Sequence, residues 1–183
     1  MPQYRQGNML DHLKEADLLL FSANACLDSQ GQLVMGGGIA KQVRDRWSGS
    51  AQSMGEILQQ RKARDGHASQ PFEAKGRAYQ VYLRPYHILT HPEWPCNPQK
   101  KLGAFQSKIH WDQPSSLDLI HAACLELRCI VETLAYWRDI QVYLNFPGIG
   151  LGGLPREVVK ADTLDPLLPD SVTVWELPPS SQI

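Results

Sequence analysis

Two glycine clusters and one asparagine are the residues in this chain whose types and spacing suit chemistry. Met35-Gly36-Gly37-Gly38-Ile39-Ala40-Lys41 opens a helical pattern in which Ile39, Val43 and Trp47 share one face. Glycines at a helix start let backbone N–H groups approach an anion closely, and the helix dipole favours the negative charge. The second cluster is Phe146-Pro147-Gly148-Ile149-Gly150-Leu151-Gly152-Gly153-Leu154. Each cluster follows a run that reads as a buried strand, Leu18-Leu19-Leu20-Phe21 in one case and residues 140–146 in the other. Asn24 stands where the first of these strands runs out. In a parallel sheet both loops then lie on the same edge, and two cradles on one edge suit a diphosphate better than a single phosphate. Taken alone, Gly36-Gly37-Gly38 also fits a turn that holds no ligand. It is neither a Walker A loop, lacking the Gly-Lys-Ser/Thr ending, nor the dinucleotide fingerprint.

The elements that must position these residues alternate between strands and helices. The pattern predicts strands over 2–6, 17–24, 78–83, 140–146 and 171–177, with a short strand inside 105–111. Helices are expected as a turn over 11–16, from Gly38 to about Trp47, over 51–63, and from Leu117 to about Tyr136. The longest of them spaces Leu117, Ile120, Cys124, Leu127 and Val131 for burial, with Ser115 or Ser116 as its cap. Residues 156–168 read as partly helical and 64–70 as a loop. The stretch 86–106, interrupted by Pro92, Pro95 and Pro98, reads as an irregular insertion. This order predicts one α/β domain over 1–177, a sandwich around a largely parallel sheet, with a flexible tail over 178–183.

Bulk composition narrows the function classes. The chain has 183 residues, 43% of them hydrophobic, enough for one well-buried core. Eighteen basic residues balance nineteen acidic ones for a net charge of −1, so no overall field favours nonspecific nucleic-acid binding, although a local basic patch is compatible with it. No apolar run approaches the roughly 18–20 residues of a membrane helix, and the first residues do not form a signal peptide, which points to a cytoplasmic protein. The four cysteines form no C-x-x-C pair and read as free thiols. His87 and His91 near Cys96 match no standard zinc pattern, so no metal is expected. His110-Trp111 suits either stacking on a base or packing against the following helix.

Phe21-Ser22-Ala23-Asn24-Ala25-Cys26-Leu27 resembles the Asn-Ala-Ala-Asn-x-x-Leu signature of macro domains, a family that binds ADP-ribose. Met35-Gly36-Gly37-Gly38-Ile39-Ala40 resembles that family's first phosphate loop, and the Phe146–Leu154 cluster is similar to its other phosphate loop. Gly7-Asn8-Met9-Leu10 is similar to the family's Gly-Asp-Leu/Ile opening. The resemblance runs in the expected order along most of the chain and is weakest between Ser48 and Gly103. It implies a three-layer α/β/α sandwich around a central mixed, largely parallel sheet. It also implies ADP-ribose contacts from Asn8, Met9, Ala23, Asn24, Gly36, Gly37, Gly38, Ile39 and Ala40. From the second loop it adds Pro147, Gly148, Ile149, Gly150, Leu151, Gly152 and Gly153.

Gln106-Ser107-Lys108-Ile109-His110-Trp111, with Pro114-Ser115-Ser116-Leu117, resembles one branch of the family. That branch contains terminal ADP-ribose glycohydrolases acting on glutamate and antitoxins that remove ADP-ribose from thymidine in DNA. The resemblance places Lys108 at the anomeric carbon of the distal ribose and turns Asn24 towards the same sugar, making both catalytic candidates. Asn8, where the family carries Asp, would accept more weakly from the adenine amine, and it equally suits a turn. The second loop has no acid to partner the lysine and is shorter than the family's usual loop. The function implied is hydrolytic removal of ADP-ribose from a modified protein or nucleic acid, without a cofactor and without a membrane. The missing acid leaves room for a non-catalytic reader, and the short loop for an interaction protein that has lost the ligand.

Overall fold

The computed structural model of the chain describes residues 1–66 and 68–178. Its strands are β1 (Gln3–Gln6), β2 (Leu18–Ala23), β3 (Cys26–Asp28), β4 (Ser69–Ala74), β5 (Arg77–Tyr82), β6 (Ile88–Leu89), β7 (Leu102–Gln106), β8 (Val142–Asn145) and β9 (Val172–Glu176). Leu18, Leu19, Leu20 and Phe21 of β2 have no exposed surface. Successive side chains leave a strand on opposite faces, so this one strand feeds two cores. Leu19, Phe21 and Ala23 pack with Val43 of α1 (Gly38–Arg46) and Met54 of α2 (Ser50–Asp65). Leu18 and Leu20 pack with Ile120, Cys124 and Leu127 of α3 (Leu117–Ala135). The second core also takes Val159 and Leu164 from α4 (Arg156–Val159) and the π turn Lys160–Leu164, which continue into α5 (Asp165–Leu167).

The main sheet runs β1-β9-β8-β2-β7-β6, parallel throughout except for the antiparallel edge strand β6. With helices on both faces it is the expected α/β/α sandwich. A second sheet, β3-β5-β4, is antiparallel and stands beside it. Ser116 caps α3, its Oγ accepting from Leu119 N at 3.4 Å.

Several local expectations are corrected. The stretch 86–106 is not irregular throughout: β7 lies within it as the parallel neighbour of β2, and β6 pairs with β7. The strand expected inside 105–111 therefore starts earlier, at Leu102, and stops at Gln106. Its Leu-Gly-Ala-Phe-Gln sequence hides the strand because close packing demands small residues. A Cβ at Gly103 would sit 2.6 Å from Leu89 O and 2.9 Å from Leu20 Cδ2. Residues 64–70 are not one loop either, since α2 reaches Asp65, Gly66 caps it in the left-handed region, and β4 begins at Ser69. The turn expected over 11–16 is a 3-10 helix over Met9–His12, capped by Asn8. Of the expected tail over 178–183, all but Pro178 lies outside the described residues.

Gly55 tests how tightly α2 is seated. A Cβ there would fall 2.1 Å from Gly31 O and 3.1 Å from Gln32 Cα, both backbone atoms. Gly→Ala inside a helix ordinarily gains about 1 kcal/mol. Gly55→Ala is instead expected to lose roughly 1–3 kcal/mol through the clash. Urea denaturation should show a lower midpoint at unchanged m-value.

Candidate functional site

At the carboxyl edge of the main sheet the strands open onto a cleft of about 1750 Å³. Its floor comes from the strand ends: Ser22 and Ala23 close β2, Ser107 and Lys108 follow β7, and Asn145 closes β8 with Phe146 just beyond it. This is the edge on which open α/β sheets place ligands. β2 and β8 pair only over Leu18–Leu20 and Val142–Leu144. Beyond that the Asn145 amide bridges them. Its Oδ1 accepts from Ser22 N at 2.6 Å, and its Nδ2 donates to Ser22 Oγ at 3.0 Å and Phe146 O at 3.2 Å.

Both glycine loops border this cleft. Gly37 is the N-cap of α1 and makes no side-chain cap bond, while Gly38 has φ +55°. The helix thus begins at the cleft with no acidic residue in its first turn and no side chain capping its N–H groups. The second loop bends at Gly148, where φ is +79° and a Cβ would meet Ile120 Cδ1 at 2.6 Å. It then forms a 3-10 turn over Gly150–Gly152. The loops share one rim: Leu151 Cδ1 lies 2.9 Å from where a Gly37 Cβ would be. Leu151 itself is 76% exposed and reaches across the rim to the first loop. The second loop brings no α-helix N-terminus to the cleft. α4 begins beyond Pro155, and neither Pro155 nor Arg156 lines the cleft.

Asn24 and Lys108 are brought side by side by backbone bonds. Ser107 N donates to Ala23 O at 3.0 Å and Ala25 N donates to Ile109 O at 2.9 Å. The Asn24 side chain is tightly held, with Nδ2 donating to Val34 O at 2.9 Å and Oδ1 accepting from Cys26 N at 2.9 Å. Lys108 Nζ donates to Gln113 O at 2.9 Å and to Leu151 O at 3.4 Å, which ties it to the second loop. Partial burial lowers the Lys108 pKa from the usual lysine value, and the Asp112 carboxylate opposes that only in part. A larger neutral fraction makes the amine a better nucleophile. Cys26 offers no rival, since burial raises its thiol to about 11.

Met9, Ala23, Asn24, Lys108, residues 36–40 and residues 148–153 all line the cleft; Asn8 and Pro147 do not. Asn8 spends its side chain elsewhere, Oδ1 accepting from Leu10 N at 3.1 Å and Nδ2 donating to Gln42 Oε1 at 3.1 Å. Trp111 packs on the small sheet, with Lys75 Nζ 5.2 Å above its ring and Tyr79 6.0 Å away. His110 meets Phe72 edge-on at 5.0 Å. His91 Nδ1 accepts from Glu93 N at 3.2 Å, and among the described residues no cluster of acids, histidines and cysteines could hold a metal.

The sequence reading missed one wall of the cleft altogether. Lys75, Gly76, Arg77 and Tyr79 of the β4–β5 hairpin line it next to Trp111. The two-residue turn has φ +52° at Lys75 and +70° at Gly76, the geometry preferred between twisted strands. Lys-Gly flanked by Phe72 and Tyr79 was the available signal, fainter than Asn-Gly.

No protein-family profile and no curated protein sequence matches the chain. Solved structures do. The macrodomain of Thermus aquaticus DarG superposes with a TM-score of 0.66 at 22% identity, over 98% of this chain and 99% of that one. The macrodomain of Mycobacterium tuberculosis DarG gives 0.55 at 22% identity, over 98% of each chain. Thermosipho africanus DarTG in complex with ADP-ribose gives 0.58 at 21% identity, covering 99% of this chain and 43% of that one. The chain therefore has the macrodomain fold.

The lowered Lys108 pKa has a direct readout. After reductive methylation with 13C-formaldehyde, the Lys108 dimethylamine should titrate at lower pH than those of exposed lysines. Asp112→Asn removes the charge that favours the ammonium form and should lower its midpoint further. Co-titration of Lys108 with the exposed lysines would contradict the assignment.

Proposed function

We propose that the chain binds ADP-ribose in this cleft and releases it by hydrolysis from a modified macromolecule. The observation that carries the reading is the pair of backbone hollows sharing one rim beside a lysine of depressed pKa. The Thermosipho DarTG, which carries this fold over 43% of its chain, is solved in complex with ADP-ribose, which supports the ligand's identity. The diphosphate lies between the 36–38 loop and the 148–153 loop, where α1 supplies uncapped N–H groups. The distal ribose faces Asn24 and Lys108. The adenine occupies the opposite end, near Met9, Trp175 and Glu176, the last held by Arg156 at 2.8 Å.

Lys108 then stands at the anomeric carbon. As a neutral amine it attacks C1″, the bond from C1″ to the acceptor breaks and the acceptor leaves with a proton; water then cleaves the C1″–Nζ bond, which returns the lysine and frees ADP-ribose. The second loop carries no acid, but Asp112 lines the cleft and acts electrostatically on Lys108. Between a protein and a nucleic-acid acceptor, the hairpin favours the latter. Lys75 and Arg77 set two cations beside Tyr79 and Trp111 on the cleft wall, a combination suited to phosphates and bases.

Isothermal titration with ADP-ribose should give saturable heat in the micromolar range, and its absence at high micromolar ligand would remove the reading. Lys108→Ala should keep binding yet lower release of ADP-ribose from a modified oligonucleotide by roughly a hundredfold or more. Binding without any turnover by the unaltered chain would make it a reader. Lys75→Glu with Arg77→Glu should reduce turnover of the oligonucleotide roughly tenfold, in a salt-dependent way, while leaving affinity for free ADP-ribose unchanged.

A further inference from the structure

Asn24 is held from behind as well as through its side chain. Tyr86 is 1% exposed, and its hydroxyl donates to Asn24 O. Burial raises the phenol's pKa well above its ordinary value, so the hydroxyl keeps its proton and remains a donor. Behind Tyr86 lies Gln106, the last residue of β7, with no exposed surface. Gln106 Oε1 accepts from Tyr86 N at 2.8 Å and from His87 N at 3.2 Å, and Gln106 N donates to His87 O at 2.8 Å. His87 has φ +55°, a conformation costly for a residue with a side chain, and these bonds hold it there.

The Gln106 Nε2 group is buried and has no partner. A buried amide with one half unsatisfied is expensive, and an apolar residue of similar size would fill the space without that cost. What the amide supplies here is its carbonyl, shared by two backbone donors. Neither Tyr86 nor Gln106 lines the cleft. With Asn24 O taken by Tyr86, Oδ1 by Cys26 N and one Nδ2 hydrogen by Val34 O, the residue keeps a single side-chain hydrogen uncommitted.

We infer that Tyr86 and Gln106 are positioning residues that fix the Asn24 peptide from within the core and thereby set affinity for the distal ribose. This rests on the ADP-ribose reading given above. The test compares two ligands, ADP-ribose and ADP, of which ADP lacks the distal sugar. Tyr86→Phe keeps the buried ring and removes only the hydroxyl. It should weaken ADP-ribose binding about five- to tenfold while ADP affinity stays within about twofold of the unaltered protein. Gln106→Met should show the same selectivity and keeps the test open if Tyr86→Phe does not fold.

Equal losses for both ligands, or no loss for either, would overturn the inference, as would unfolding of both variants. Failure of the unaltered chain to bind ADP-ribose would instead bring down the functional reading, and this inference with it. The two failures are distinguished by the titration of the unaltered protein alone.

Discussion

The site depends on two neighbouring strands ceasing to pair. β2 and β8 share a parallel ladder for only three residues, after which each continues towards its own loop. Parallel strands that part at their carboxyl ends leave backbone groups that need partners, and here one carboxamide supplies them. Asn145 spans the gap to Ser22 through both its oxygen and its nitrogen. The parting makes room for a cleft, and the bridge keeps its floor from collapsing into an ordinary strand contact. The second glycine loop leaves this widened edge directly, and the first returns to the same rim after β3.

Around that opening the chain is held mostly by backbone bonds. Ala23 O, Ala25 N, Ala25 O and Cys26 O each have a backbone partner within 3.0 Å. Such a frame positions N–H groups and one asparagine at the rim through fixed backbone points rather than loop side chains. It explains why loops so poor in side chains still have a defined shape: the fixed points lie beside them. The cations stand off the frame, on the β4–β5 hairpin, and Lys108 is tethered to the second loop's carbonyl. The backbone hollows and the cations thereby belong to different pieces of chain.

Much of this was legible in the sequence because the signals were local. The four-residue apolar run of β2, the helical spacing of Ile120, Cys124, Leu127 and Val131, and the glycine clusters each carry their own periodicity or conformational demand. What escaped was set by tertiary contact. β7 looks like no strand because Gly103 and Ala104 are small for the sake of Leu89 and Leu20, not for strand propensity. β3 is three residues long and exists only through pairing with β5. Asn8 was legible as a turn-former and as a ligand contact alike, and the structure commits its oxygen to Leu10 N. The hairpin wall was missed because nothing local says that the tip of a small sheet folds over another sheet's edge.

The small sheet has a consequence of its own. Among the described residues it makes no ladder with any of the six strands of the main sheet. Its hairpin can be lengthened, recharged or given new aromatics while the glycine loops at the main sheet's edge keep their register. A chain built this way can change what faces its cleft by altering an appendage, and the opposite rim does not have to be rebuilt each time.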